Sequence, residues 1–89
     1  YDLLVVVANW PSPRRHAWRT LLRARAIENL AYVVGVNRVG TDGNQLNYAG
    51  DSAALDPTGE ALADLGPQPQ SVTVTLSAEV LRAHRERFP

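Results

Sequence analysis

The chain has 89 residues, with nine basic and nine acidic side chains and no net charge, so no long-range field draws it toward nucleic acid or an anionic membrane surface. All nine basic residues are arginine, and lysine and cysteine are both absent. These residues therefore hold no phosphate-loop lysine, Schiff-base amine, disulfide framework, thiolate metal site or thiol nucleophile. The longest apolar run is too short to span a bilayer, and no segment resembles a signal peptide. The expectation is a soluble, cytoplasmic protein, and a start at Tyr1 without Met suggests a piece of a longer polypeptide.

The run LLVVVA, Leu3 to Ala8, is unbroken and rich in valine, the pattern of a strand buried on both faces inside a sheet. Two prolines in NWPSPRR end it, and a helix is expected from Pro13 or Arg14 to Ala31. YVVGVNR, Tyr32 to Arg38, reads as a second buried strand. Strand, crossover helix and strand make a βαβ unit with parallel strands and a right-handed crossover. The glycine-rich stretch VGTDGNQLNYAGD reads as a loop with tight turns. SAALDPTGEALADLG reads as two short strands joined by a turn at Asp56, Pro57, Thr58 and Gly59. GPQPQ is a short linker, SVTVTLS alternates as a further strand, and Ser77 is placed to cap a short C-terminal helix, AEVLRAHRERF. The fold class is α/β.

Arg25 and Glu28 raise the first functional question. At roughly 100° per residue, Ala17, Leu21, Ala24, Arg25, Glu28 and Ala31 share one helix face, with Trp18 at its edge, so two charges fall in the expected buried stripe. One reading makes them an ion pair bracing the helix or an interface. The other makes Glu28 a general base, which needs a nucleophile or water within reach and a raised pKa. A helix lying over a sheet suits the brace, because ligands at open parallel sheets bind beyond the carboxyl ends of the strands. That rule selects Asn9, Trp10 and Arg14 as substrate-binding candidates: an amide, a ring and a guanidinium that can line a small polar pocket. The competing reading packs Trp10 against the helix start and leaves Asn9 to cap a turn. Asn37 and Arg38, after the second strand, are weaker candidates by the same rule.

Other patterns carry less. His16 and His84 are the only histidines and are expected on the surface, with no metal site. DGN lacks the acidic ladder of a calcium loop, and GDSAA is not a G-x-S-x-G nucleophile elbow. Arg14, Arg15, Arg19 and Arg23 are expected to form a solvated face. No catalytic residue is assigned within these residues.

The series YDLLVVVANWP, W-x-x-LL-x-ARAIEN-x-AYV-x-G-x-NRVG-x-DGN, Y-x-GDS, DPTGE and L-x-x-x-R-x-x-FP resembles the carboxyl-terminal third of the nitrilase superfamily of carbon–nitrogen hydrolases. The ω-amidase-like branch is the most similar. The resemblance covers nearly the whole chain and implies part of an α-β-β-α sandwich, in which residues 1–89 are the C-terminal portion of a single hydrolase domain whose N-terminal portion is absent. It also implies a Glu-Lys-Cys triad that attacks an amide or nitrile carbon through a thioester, all three members coming from preceding chain. By the same resemblance, Asn9 and Trp10 fall in the segment that shapes the acyl pocket, and Arg25 and Glu28 in a supporting helix. Ala17 stands where close relatives often carry a histidine.

The implied activity is hydrolysis of the C–N bond of a small amide, releasing ammonia and a carboxylic acid. The implied partners are that amide, the missing N-terminal part and further copies of the protein as a homo-oligomer, a homodimer in the simplest case. No cofactor, nucleic acid or membrane is expected. The alternative is a non-catalytic αβ module that binds a small ligand or another subunit. Coding sequence upstream of Tyr1 separates the two, since a cysteine there supports the enzyme and an initiating methionine immediately before Tyr1 does not.

Overall fold

The computed structural model describes residues 1–41, 47–67 and 72–88. The first apolar run forms β1 (Leu3–Ala8); after a 3-10 turn at Ser12–Arg14, the helix α1 (Arg15–Asn29) carries the chain back to β2 (Tyr32–Asn37). β1 and β2 pair in parallel, from Leu3 opposite Tyr32 to Ala8 opposite Asn37, so the expected βαβ unit is present. β5 (Ala53–Leu55) runs antiparallel to β2, and β6 (Ala61–Asp64) antiparallel to β5, giving the sheet order β1-β2-β5-β6. The turn between β5 and β6 is where the sequence placed it. Asp56 Oδ1 accepts from the backbone N–H groups of Thr58 and Glu60, and Gly59 at φ 86° donates its N–H to the Asp56 carbonyl.

The core lies between α1 and one face of this sheet. Trp18, Leu22 and Ala26 point inward onto Val33 and Leu55, with Leu4, Val6, Ala8 and Ala53 around them. Burying each large apolar side chain there contributes about 1.5–3 kcal/mol. Gly35 of β2 is the socket for the helix: a Cβ at that position would lie 2.6 Å from Leu22 Cδ1 and 3.0 Å from Trp18 Cζ2. Hydrogen still allows the two layers to close, and a methyl group would hold them apart.

Three expectations are corrected. The stripe facing the core is Trp18, Leu22 and Ala26, about 100° around the helix from the predicted one; Leu21, Arg25 and Glu28 are exposed and Ala24 is half-buried. β1 is buried on one face only: Leu3, Val5 and Val7 are 42%, 55% and 77% exposed on the other, because no layer among the described residues covers that face. SVTVTLS forms no strand over residues 72–76. Alternation supplies a face but not a hydrogen-bonding partner, and Val72 and Val74 instead border a shallow depression of about 310 Å³ on the open sheet face, with Val34, Val36, Ala54 and Ala63.

The expected loop after β2 also holds a short ladder, β3 (Val39–Thr41) with β4 (Asn47–Ala49). The DGN turn lies at 42–44, outside the described residues, as do 68–70 of the linker and position 71. Gly50 closes this ladder, donating its N–H to the Arg38 carbonyl at 3.0 Å, and its φ of 71° suits a residue without a side chain.

Helix α1 ends at Leu30, which takes the left-handed conformation (φ 48°) while the Ala31 N–H reaches back to the Ala26 carbonyl at 3.2 Å. The last helix, α2 (Ala78–Arg87), begins as expected, with Ser77 Oγ accepting from the Val80 N–H at 3.1 Å. It docks through buried Leu81 and through Arg85. The Arg85 guanidinium donates to the Leu30 carbonyl at 2.9 Å, the Asp2 carboxylate at 2.7 Å and the Tyr1 carbonyl at 2.6 Å. Tyr32 adds a further tie: its hydroxyl donates to the Ser77 carbonyl and accepts from the Ser77 N–H, both at 3.1 Å.

Candidate functional site

Beyond the carboxyl ends of β1 and β2, the chain turns at Pro11 into the short Ser12–Arg14 helix, with the Arg14 N–H bonded to the Pro11 carbonyl at 2.9 Å. Trp10 leaves β1 half-buried, its ring tilted 52° to Trp18 with centroids 5.7 Å apart. The Arg14 guanidinium lies over the Trp10 ring, 4.7 Å from its centroid, a cation–π geometry. Asn9 is exposed, with no side-chain partner among the described residues. The structure thus brings Trp10 and Arg14 together and leaves Asn9 beside them, facing solvent. Trp10 also packs against α1, so the competing packing reading describes part of what this ring does.

Behind Trp10 stands Asn37, a residue the sequence ranked lower. Its side chain is buried and holds both main-chain groups of Trp10: Oδ1 accepts from the Trp10 N–H at 2.7 Å and Nδ2 donates to the Trp10 carbonyl at 3.1 Å. Ser52 holds Asn37 in turn. Its Oγ accepts from the Asn37 N–H at 2.9 Å and donates to the Asn37 carbonyl at 3.3 Å.

Asp51, immediately before Ser52, is the residue that sequence reasoning missed. Its carboxylate is fully buried; Arg15 donates to it from Nε at 2.6 Å and from a terminal nitrogen at 3.2 Å. Arg19 approaches to 3.9 Å while bonding Asp64 at 3.1 Å. The Asp51 carbonyl accepts from the indole N–H of Trp18 at 2.9 Å, and its own N–H donates to the Gly66 carbonyl at 2.9 Å. These ties hold a non-glycine residue at φ 54°, a conformation that persists only when its surroundings impose it. Arg14, Arg15 and Arg19 are therefore engaged rather than merely solvated, and the available signal was the arginine spacing at 15 and 19, one helical turn apart.

Arg25 and Glu28 do pair, at 2.5 Å, but with side chains 49% and 56% exposed. The buried brace expected from the predicted stripe is a surface ion pair, because the helix presents a neighbouring face to the sheet. The Arg25 stem borders an apolar recess with Leu4, Trp10, Leu21 and Leu22, which accounts for its partial burial. His16 is exposed beside Thr20, and His84 packs against the Phe88 ring at 5.1 Å, so the two histidines serve different helices.

Chemically, the strand-end arrangement offers a flat apolar ring, a guanidinium and a rigid polar support. It can shape and orient a small polar ligand, and these residues contain no thiol or amine to attack one.

The comparisons agree with this architecture. The carbon–nitrogen hydrolase family model matches residues 2–86. The chain is 52% identical over its whole length to an omega-amidase of Escherichia coli strain K12, and it spans 35% of that protein. Among solved structures, a CN-hydrolase superfamily protein of Xanthomonas campestris, carrying an arsenic adduct in its active site, superposes with a TM-score of 0.98 at 61% identity, covering 100% of this chain and 34% of that one. An amidase mutant of Nesterenkonia, with acetamide added covalently at its active site cysteine, matches 78% of this chain and 26% of its own at 30% identity and a TM-score of 0.63. The chain therefore spans about a third of the first relatives it matches, and the likeness of sequence and fold supports one conclusion: it belongs to the carbon–nitrogen hydrolase family, within the nitrilase superfamily.

Proposed function

We propose that these residues are the C-terminal part of an ω-amidase-type enzyme that hydrolyses the terminal amide of a small dicarboxylic monoamide, releasing ammonia and the acid. The observation that carries this reading is 52% identity to an omega-amidase along the entire chain. The acyl step needs a nucleophile, and a relative bears its adduct on a cysteine, whereas this stretch has no cysteine and no lysine. In this reading the Cys, Lys and catalytic Glu come from the remainder of the polypeptide. Trp10 and Arg14, with Asn9 beside them, form one wall of the acyl pocket. The open sheet face of Leu3, Val5 and Val7 supports a seat for that remainder, since apolar surface of this extent is normally covered. Cytoplasmic placement and assembly as a homodimer belong to the same proposal.

The test is ammonia release from small amides and 2-oxo acid monoamides by the full-length protein and by the 89-residue chain alone. Turnover is expected only from the full-length protein. Activity of the short chain above a denatured blank would overturn the division of labour, and an inactive full-length protein would overturn the amidase reading.

A further inference from the structure

The last ladder pair between β1 and β2 is Ala8 with Asn37. Beyond it the ladder would lapse, but the Asn37 carboxamide takes over, pairing with the N–H and the C=O of Trp10 at 2.7 and 3.1 Å. This places an acceptor and a donor side by side against the N–H and the C=O of one residue, as a neighbouring strand would. Only a short carboxamide presents both at that spacing: aspartate lacks the donor, and serine or alanine cannot span the gap. The main chain of Asn37 is itself held on both sides by Ser52 Oγ, and Ser52 follows the anchored Asp51. The residue is 7% exposed, so its bonds to Trp10 face little competition from water.

We infer that Asn37 is the positioning residue of this site: it fixes the main chain of Trp10 at the strand end, and with it the indole and the Arg14 guanidinium stacked there. It touches no substrate itself. Its effect on turnover rests on the amidase reading above, whereas its effect on Trp10 does not.

The experiment uses the full-length protein with Asn37→Ala and Asn37→Asp, each first shown to melt cooperatively, and reads two quantities. Hydrogen exchange at the Trp10 amide should quicken by at least about tenfold in Asn37→Ala, while the β1–β2 ladder amides keep their protection. It should change little in Asn37→Asp, which retains the acceptor. In the amidase assay Asn37→Ala should raise KM by about tenfold and Asn37→Asp by less, with kcat altered by less than about threefold in both, the signature of a displaced binding wall. Unchanged Trp10 exchange in a folded Asn37→Ala protein overturns the inference outright. Faster exchange with unaltered KM reduces Asn37 to a structural tie and overturns the positioning role. If the wild-type protein releases no ammonia from any amide, the amidase reading fails, and the exchange arm still decides whether Asn37 holds Trp10. If neither variant folds, Ser52→Ala, which loosens Asn37 from behind, must quicken Trp10 exchange, or the inference falls.

Discussion

Helix α1 carries two arginine–carboxylate pairs of almost equal length, whose arginines are both about half exposed and whose carboxylates are not alike. Arg25 and Glu28 meet at 2.5 Å, three residues apart, with both side chains about half exposed. Arg15 and Asp51 meet at 2.6 Å, 36 residues apart, and the carboxylate has no contact with solvent. Contact distance therefore says little about what either pair contributes. An exposed pair trades strong hydration for a weak, screened attraction, whereas a buried carboxylate has already lost its hydration and depends on its partner. The local pair is also the one a helical spacing rule detects, and the consequential one is closed by the segment between β4 and β5.

The sharpest test of this contrast is Arg15→Ala in the full-length protein. It takes both close donors from the Asp51 carboxylate and leaves it, among the described residues, Arg19 at 3.9 Å; because Arg15 is half exposed and water can enter in its place, a loss of about 2–3 kcal/mol is expected in denaturant unfolding. Asp51→Asn should cost less, about 1–2 kcal/mol. It removes the charge, leaves a half-exposed Arg15 that water can solvate and keeps the backbone bond to Trp18. Combining the two should cost less than their sum, with about 1 kcal/mol or more of coupling; strict additivity would mean that the pair does not act as a unit. Glu28→Ala should cost about 0.5 kcal/mol or less, and the difference should shrink further in high salt. A loss above about 2 kcal/mol there would erase the contrast and restore Glu28 as a buried brace.

The same contrast shows how far the sequence could be read. The βαβ unit was legible because two valine-rich runs flank a helix-length segment, and the β5–β6 turn because Asp56, Pro57 and Gly59 each impose a local constraint. The phase of α1 is not legible because arginines border both candidate stripes, Arg15, Arg19 and Arg23 beside Trp18 and Leu22 and Arg25 within the other. What corrects the phase is Gly35, which matters only once β2 lies opposite the helix. At the candidate site, the strand-end rule names Trp10 and Arg14, which lie together in the fold, and ranks Asn37 lower, since nothing local marks an asparagine that bonds a residue 27 positions away. Nothing in GDSAA itself marks Asp51, whose partner Arg15 lies 36 positions away. Its role depends on Arg15, which its own neighbourhood does not disclose.

The Arg85 guanidinium has a consequence for the order in which the fold is completed. It bonds Asp2 and Tyr1, 83 and 84 positions earlier, whereas the βαβ unit is finished by Asn37. Contacts across so long a stretch pay their loop-closure entropy late. On a ribosome adding residues at about 5–20 per second, β1 can pair with β2 seconds before Arg85 exists, and its first residues fray until α2 arrives. The clamp belongs to the end of assembly: weakening it should hasten unfolding and leave the rate of folding almost unchanged.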